Sequence, residues 1–554
     1  MTRINVAQDC PETFISLINK IKAMTAPKVL LIWPPWHRLQ NSELKAYPIG
    51  LCYLAAVLEK AGVQVKVINA DYNEGKEAFH NSELINSYDK YKTVVNDINH
   101  PIWHEADEII EDFQPDILGF TANTGSVGAV LNISRNAKKI NPDIKVIMGG
   151  AHPTAQPEST LKNPEVDYIV IREGEQTIVE LVKNFDSQSF GDVLGMGYKD
   201  DEGNIKINPT RPLIDNLDEL PFPARHLIVN KETFPPDAFG GIFSSRGCPF
   251  SCIYCSSYTL WGKKVRYRSV DNVVEEIKQV QKEFKTKHYF FVDDTFSLKI
   301  DRAMQLCDRM VAENLDVEWH CQTRVDCITE ELVMKMKAAG CNCILIGVET
   351  GDPESMKKIK KAISLDKVRA AASIFKKCGM PFNTYFMVGF PWETMDQINN
   401  TLSFMKEIDP TDASYAVVTP QPGTELYDMV KKEGLLESED RIDWSTFHHQ
   451  SMDMFKTHKF TNEDKKKIIQ MAEQTFDEQK HKKLREKVKK HPAEVLKRVI
   501  EMGYYKNPIA LAKMGKDVLF PKKPELKIMI NKPVQELVTD KPETPLPIVQ
   551  TNDK

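Results

Sequence analysis

Twice along the chain, short apolar runs of strand length alternate with helix-length segments, and a proline-rich stretch separates the two series. Such alternation calls for parallel sheets covered by helices. The first series runs over residues 27–185, with strands expected at KVLLIW (28–33), VQVKVI (64–69), DILGFT (116–121), IKVIMG (144–149) and DYIVI (167–171). Between them GLCYLAAVLEKAG, ending at Gly62, and VGAVLNISRNAKKI place apolar residues at helical spacing. This predicts an open α/β sheet whose ligand lies beyond the carboxyl ends of the strands. Those ends carry Pro34-Pro35-Trp36, Asp71, residues 121–126 and residues 149–154, a polar and glycine-rich rim. Residues 186–237, with NPTRPLIDNLDELPFPARH, read as an irregular linker or wrapping segment. From 238 to 440 six strand and helix units follow, from GGIFSS to ASYAVVT, which predicts a partial (β/α)6 barrel with its chemistry on the loops after the strands.

The flanks are different in kind. Residues 1–26 read as a short amphipathic helix rather than a secretory signal, which places the protein in the cytoplasm as an expectation. Residues 441–519 are expected to form a helical C-terminal domain, within which residues 456–498 carry 14 basic and 7 acidic side chains. That excess is either a solvated helical face or a docking surface for an anionic partner or membrane. Residues 520–554, with six prolines, read as a tail without fixed structure. Over the whole chain 73 Lys and Arg stand against 78 Asp and Glu, so no uniform basic field exists to grip nucleic acid. The apolar runs fall short of the ~20 residues a spanning helix needs.

Eleven cysteines, an odd number in a large chain, argue against a disulfide framework. Three of them are set apart by spacing: Cys248, Cys252 and Cys255 form a C-x3-C-x2-C loop directly after an expected strand. Soft thiolates suit an iron–sulfur cluster or zinc, but no second cysteine pair or His-x3-His accompanies them to complete a zinc site. Three ligands can hold three corners of a cubane and leave the fourth iron open to a small molecule.

This loop, SRGCPFSCIYC, resembles the radical S-adenosylmethionine superfamily, as do FVDDTF (291–296), QTRVD (322–326), GVETG (347–351), GFPWET (389–394) and TPQPGT (419–424). The resemblance implies a 4Fe-4S cluster on Cys248, Cys252 and Cys255, which reduces S-adenosylmethionine to a 5′-deoxyadenosyl radical. It also makes Tyr254, Asp293, Asp294, Arg324 and Glu349 candidate contacts to S-adenosylmethionine. In chemical terms either aspartate could accept from the methionyl ammonium, Arg324 could fork onto a carboxylate, and Glu349 could accept from ribose hydroxyls. Capping and structural ion pairs are the competing roles.

The first sheet, joined to the barrel in this order, resembles the cobalamin-binding domain of cobalamin-dependent radical S-adenosylmethionine enzymes. The matching positions are TANTGS, GGAHPT and REGEQT, so Thr121, Asn123, Gly125, Ser126, Gly149, Gly150, His152, Glu173, Gly174 and Glu175 are candidate cobalamin contacts. One departure is that no D-x-H-x-x-G loop occurs, so no histidine ligand to cobalt is expected.

The implied fold is therefore a Rossmann-like cobalamin-binding sheet, a radical S-adenosylmethionine partial barrel and a helical C-terminal region. The implied activity is C-methylation of an unactivated carbon in a small-molecule substrate, with an electron donor such as a flavodoxin or ferredoxin. Alternatives are an oxidative cyclase acting on a tetrapyrrole, a methylthiotransferase-like enzyme, and a non-catalytic cobalamin sensor. No motif names the substrate. Trp444, Phe447, Met452, Met454, Phe455 and Met502 are candidates to line an apolar pocket, with core packing as the competing role, and a lipid substrate with peripheral membrane contact is one expectation they raise.

Overall fold

A computed structural model describes residues 27–40, 46–72, 81–436, 442–448, 451–452 and 454–490. The expected N-terminal helix and the proline-rich tail lie outside the described residues. Five parallel strands open the fold: β1 (Val29–Trp33), β2 (Val65–Asn69), β3 (Ile117–Thr121), β4 (Lys145–Gly149) and β5 (Tyr168–Val170). They pair in the order β2-β1-β3-β4-β5, so the direction of winding reverses between β1 and β3. Both faces of this sheet are covered, which is why its strands read as unbroken apolar runs. Val29 and Leu31 face one core, while Leu30 and Ile32 face the other.

The stretch expected to be an irregular linker corrects that expectation. It contributes β6 (Met196–Lys199) and β7 (Ile205–Ile207), an antiparallel hairpin that extends the sheet to seven strands. Asp200 closes the turn, accepting from the Asn204 amide at 2.7 Å, while Gly203 takes the left-handed conformation at φ +82°. The first sheet is thus parallel with an antiparallel edge. The rest of the segment does wrap: the Ala224 and Val229 amides donate to Cys52 and Val67 of the first domain.

The second sheet holds β8 (Gly241–Ile242), β11 (His288–Phe291), β12 (Glu318–Thr323), β13 (Cys341–Glu349), β14 (Phe382–Val388) and β15 (Asp412–Val417), all parallel and in sequence order. A two-stranded clamp, β9 (Ser245–Arg246) with β10 (Arg266–Tyr267), interrupts it after β8. Helices return each strand to the next, as a partial barrel requires. Several begin on a Ser or Thr whose hydroxyl accepts a first-turn amide: Ser269, Thr329, Ser364, Thr394 and Thr424. The described part of the C-terminal region contains one long helix, Asn462–Lys490, packed against β14, β15 and the helix Asn81–Asn96 of the first domain.

A buried triad locks the wrapping segment to the barrel. Glu276, fully buried on the helix Val270–Phe284, accepts from Arg225 at 2.6 Å and from Arg268. Burial alone would lift its carboxyl, but Arg268 and Arg225 outweigh that and hold it below the ordinary value. Glu276→Ala strands two buried guanidinium groups, so chemical denaturation should show a loss of about 3–5 kcal/mol.

Candidate functional site

The cysteine loop leaves the clamp strand β9 through Gly247, whose φ is +97°. A Cβ there would stand 2.6 Å from the Lys264 carbonyl, so the loop can press against the clamp only as glycine. Farther on the loop is pinned by backbone bonds, Ile253 N to Ile359 O at 3.1 Å and Leu426 N to Ile253 O at 2.9 Å. Cys252 is buried, Cys248 and Cys255 are half-buried, and all the described cysteines are free. Burial raises the Cys248 thiol and pushes Cys255 up to about 12, with Asp294 and the neighbouring thiols adding to it. Loading metal onto these thiols therefore releases protons. Among the described residues no three His, Cys, Asp or Glu side chains converge as ligands of one ion. Thiolates on separate corners of a cubane need no such convergence.

Around this loop the residues singled out from sequence fall into different positions. Asp294 stands open to solvent at the lip of the site and accepts from Ser257 Oγ at 2.6 Å, and the protein packed about it raises its carboxyl. Glu349 ends β13 at φ +70° and binds Lys361 Nζ at 2.7 Å, and the same ammonium reaches the Tyr254 hydroxyl at 3.2 Å. Lys361 is a site residue that the sequence concealed inside a lysine-rich run.

Two expectations are corrected by where the side chains spend their bonds. Asp293 is buried and accepts from the Ser244 amide at 3.2 Å, the Ser244 hydroxyl at 3.0 Å and the Ser245 hydroxyl. It ties the start of β9 to the end of β11, and its bonds are spent there. Arg324 was expected to fork onto a ligand carboxylate, but its fork closes on Asp326 at 3.0 and 2.9 Å. A third bond goes to the Lys361 carbonyl, and its plane covers the Phe250 ring at 3.4 Å.

The rim of the first sheet faces this loop across a cavity of about 550 Å³. Thr121, Asn123, Gly125, Ser126 and Ala151 line one side, and Tyr254 and Ser256 of the cysteine loop line another. Met387, Ala416 and Val417 of the barrel strands complete it with Phe447, and among the described residues no Asp, Glu, Lys or Arg contributes to its lining. A second, narrower cavity of about 180 Å³ runs down into the first sheet past Leu31, Gly119, Ile147 and Val170. Thr121, Ile49, Gly50 and Leu51 border both.

Gly149, Gly150 and Gly174 border the narrow cavity, and at Gly150 (φ +99°) a Cβ would stand 3.0 Å from the Ala122 backbone. A Cβ at Gly125 would come within 3.3 Å of the Phe447 carbonyl. Bare backbone beside an apolar slot suits a bulky macrocycle with an arm. The residues present fit cobalamin.

His152 is a further correction. It lies beneath the rim, 1% exposed, with its ring edge-on to Trp444 at 5.1 Å and Nδ1 3.4 Å from Thr124 Oγ1. Burial lowers its pKa to about 4. It supports the rim from below and reaches neither cavity. Glu173 and Glu175 border the narrow cavity, yet both Glu173 oxygens and Oε1 of Glu175 are engaged. Glu173 binds Arg246 at 2.8 Å and Arg266 at 2.7 Å, and Glu175 binds Arg246 at 2.7 Å. Of the expected pocket residues, Phe447 lines the large cavity, whereas Met452, Met454 and Phe455 pack in the core. Met502 lies outside the described residues.

Comparison with known proteins agrees with this geometry. Residues 242–405 match the radical SAM superfamily model and residues 37–182 the B12 binding domain model. An uncharacterized methyltransferase of Pyrococcus horikoshii is 32% identical over 82% of this chain and 93% of its own length. An anaerobic magnesium-protoporphyrin IX monomethyl ester cyclase of Rubrivivax gelatinosus is 27% identical over 72% of this chain and 69% of its own. Among solved structures, the radical S-adenosylmethionine methyltransferase TsrM of Kitasatospora setae, with cobalamin and a [4Fe-4S] cluster bound, shares the fold at a TM-score of 0.59. It is 17% identical, over 76% of this chain and 81% of its own. The chain belongs to the cobalamin-dependent radical S-adenosylmethionine enzymes, the class whose cofactors are a 4Fe-4S cluster, S-adenosylmethionine and cobalamin.

At the end of β14 one buried carboxyl carries a pH signature. Glu393 accepts from the Gly389 and Phe390 amides at 2.6 and 3.2 Å, while its Oε1 has no partner among the described residues. Burial raises its pKa from 4.5 to about 8, so the folded state holds a proton that the unfolded state has lost between those values. Stability falls as pH rises through that window. Glu393→Gln should escape this loss, so its melting temperature relative to the native protein should climb as pH rises from about 5 to 8.

Proposed function

We propose that the protein transfers a methyl group to an unactivated carbon of a neutral, largely apolar small molecule held in the large cavity. One observation carries this reading: the cysteine loop and the rim of the first sheet border the same space, and among the described residues no Asp, Glu, Lys or Arg lines it. The cluster supplies one electron to cleave S-adenosylmethionine, and cobalamin supplies a transferable methyl group.

The chain's own part is to hold and to exclude. Cys248, Cys252 and Cys255 hold the cluster. Asp294 and the Glu349–Lys361 pair offer an acceptor and donors beside it for the amino acid and sugar parts of S-adenosylmethionine, with Tyr254 closing that side. Thr121, Asn123, Gly125, Ser126, Gly149, Gly150 and Gly174 form the cobalamin rim. Met387, Ala416, Val417 and Phe447 form the apolar wall that keeps water from the substrate carbon. The electron comes from a partner of the flavodoxin or ferredoxin type.

The test is anaerobic reconstitution with iron, sulfide and methylcobalamin, followed by incubation with S-adenosylmethionine and extracts of neutral metabolites. A product heavier by one methylene supports methylation, while a product formed without that gain in mass counts against it. Cys252→Ala should lose cluster absorbance and S-adenosylmethionine cleavage together, and cleavage retained in that variant would overturn the cluster assignment. Ala416→Trp fills the substrate side of the cavity. It should cut methyl transfer at least tenfold, the cost of about 1.4 kcal/mol in the barrier, while S-adenosylmethionine cleavage without substrate persists.

A further inference from the structure

One histidine in the cavity wall has the environment of a metal ligand. His37 follows β1, at the point where the strand order reverses, and lines the large cavity. Its Nδ1 lies 2.6 Å from Oδ2 of Asp71, a fully buried residue just after β2. Asp71 is itself fixed, because its Oδ1 accepts from the Trp36 and Arg38 amides at 2.6 and 3.1 Å. A carboxylate only accepts, so Nδ1 carries a proton, and in the neutral ring the lone pair then sits on Nε2. Among the described residues Nε2 has no hydrogen-bond partner, and the side chain stays 30% exposed. Trp36 stands edge-on to the ring at 4.6 Å and restrains its rotation. The contrast is His104, whose partner Asp107 is one helical turn away on the surface and which lines neither cavity.

A buried carboxylate that fixes the tautomer of an imidazole facing a cavity is the arrangement that orients metal-binding histidines. We propose that His37 Nε2 is an axial ligand to the cobalt of bound cobalamin, approaching from the side of the first sheet. The bond is dative, from the Nε2 lone pair to cobalt. It displaces water or the cofactor's own base from that position and moves no electron between them. The expectation that no histidine serves cobalt rested on a missing local motif. Here the carboxylate comes from the next strand, 34 residues away, and no local pattern reveals it.

This inference rests on the reading that cobalamin binds against the rim of the first sheet, and the experiment separates the two. Protein made with nitrogen-15 histidine is loaded with unlabelled cobalamin, reduced to the cobalt(II) state, and examined by electron paramagnetic resonance. The expected result is a doublet on each cobalt line, in place of the triplet given by unlabelled protein. In His37→Gln the histidine splitting should be lost with cobalamin still retained. A triplet that survives labelling, or an unsplit line, overturns the ligand and leaves the cobalamin reading intact. Protein that retains no cobalamin at all overturns both.

Discussion

Everything at the site depends on how one arginine is paired. Arg246 stands two residues before Cys248, is 4% exposed, and sets its guanidinium between Glu173 and Glu175 of the first domain. Arg266 of the clamp completes the set on Glu173 and also bonds the Ile214 carbonyl. Tyr53 and Trp261 flank the Arg246 guanidinium at 5.2 and 5.0 Å. Two carboxylates against two guanidiniums leave no net charge, and buried ions of this kind are tolerated only when each is matched and hydrogen-bonded. Their worth lies less in net stability than in register, because removing any member strands the others. The cysteine loop is held in this way against the rim it must face.

From that joint the remaining geometry follows. The barrel strands deliver their loops to one end, and the reversal between β1 and β3 opens a crevice at the corresponding end of the first sheet. With Arg246 tied across, the two ends share one cavity. The helix Asn462–Lys490 lies against β14 and β15 as well as the helix Asn81–Asn96, so it bridges both domains. This helix carries the lysine excess and is long but not apolar, and no described helix is both long and apolar enough to cross a membrane.

Much of the architecture was legible because buried parallel strands must be apolar on both faces. Runs such as KVLLIW and IKVIMG therefore announce themselves, and the cysteine spacing marks its own loop. The hairpin β6–β7 escaped because its second strand is short and largely exposed, with a single alternating run too brief to separate from a coil. The pairing of Arg246 with Glu173 spans 73 residues, and no periodicity links them. His152 and His37 show the same limit from opposite directions. Both are polar residues near strand ends, and only packing tells that one is buried under Trp444 while the other faces the cavity. Arg324 and Asp293 belong to recognisable motifs, yet their partners, Asp326 and the Ser244–Ser245 pair, decide what their polar atoms are left to do.

The central claim is that the cluster loop and the cobalamin rim border one space. The most direct measurement is pulsed electron paramagnetic resonance on protein holding both the reduced cluster and cobalt(II) cobalamin. The account predicts a through-space magnetic coupling between the two centres that broadens or splits both signals. Two unperturbed spectra, each identical to that of protein loaded with one centre alone, would contradict it.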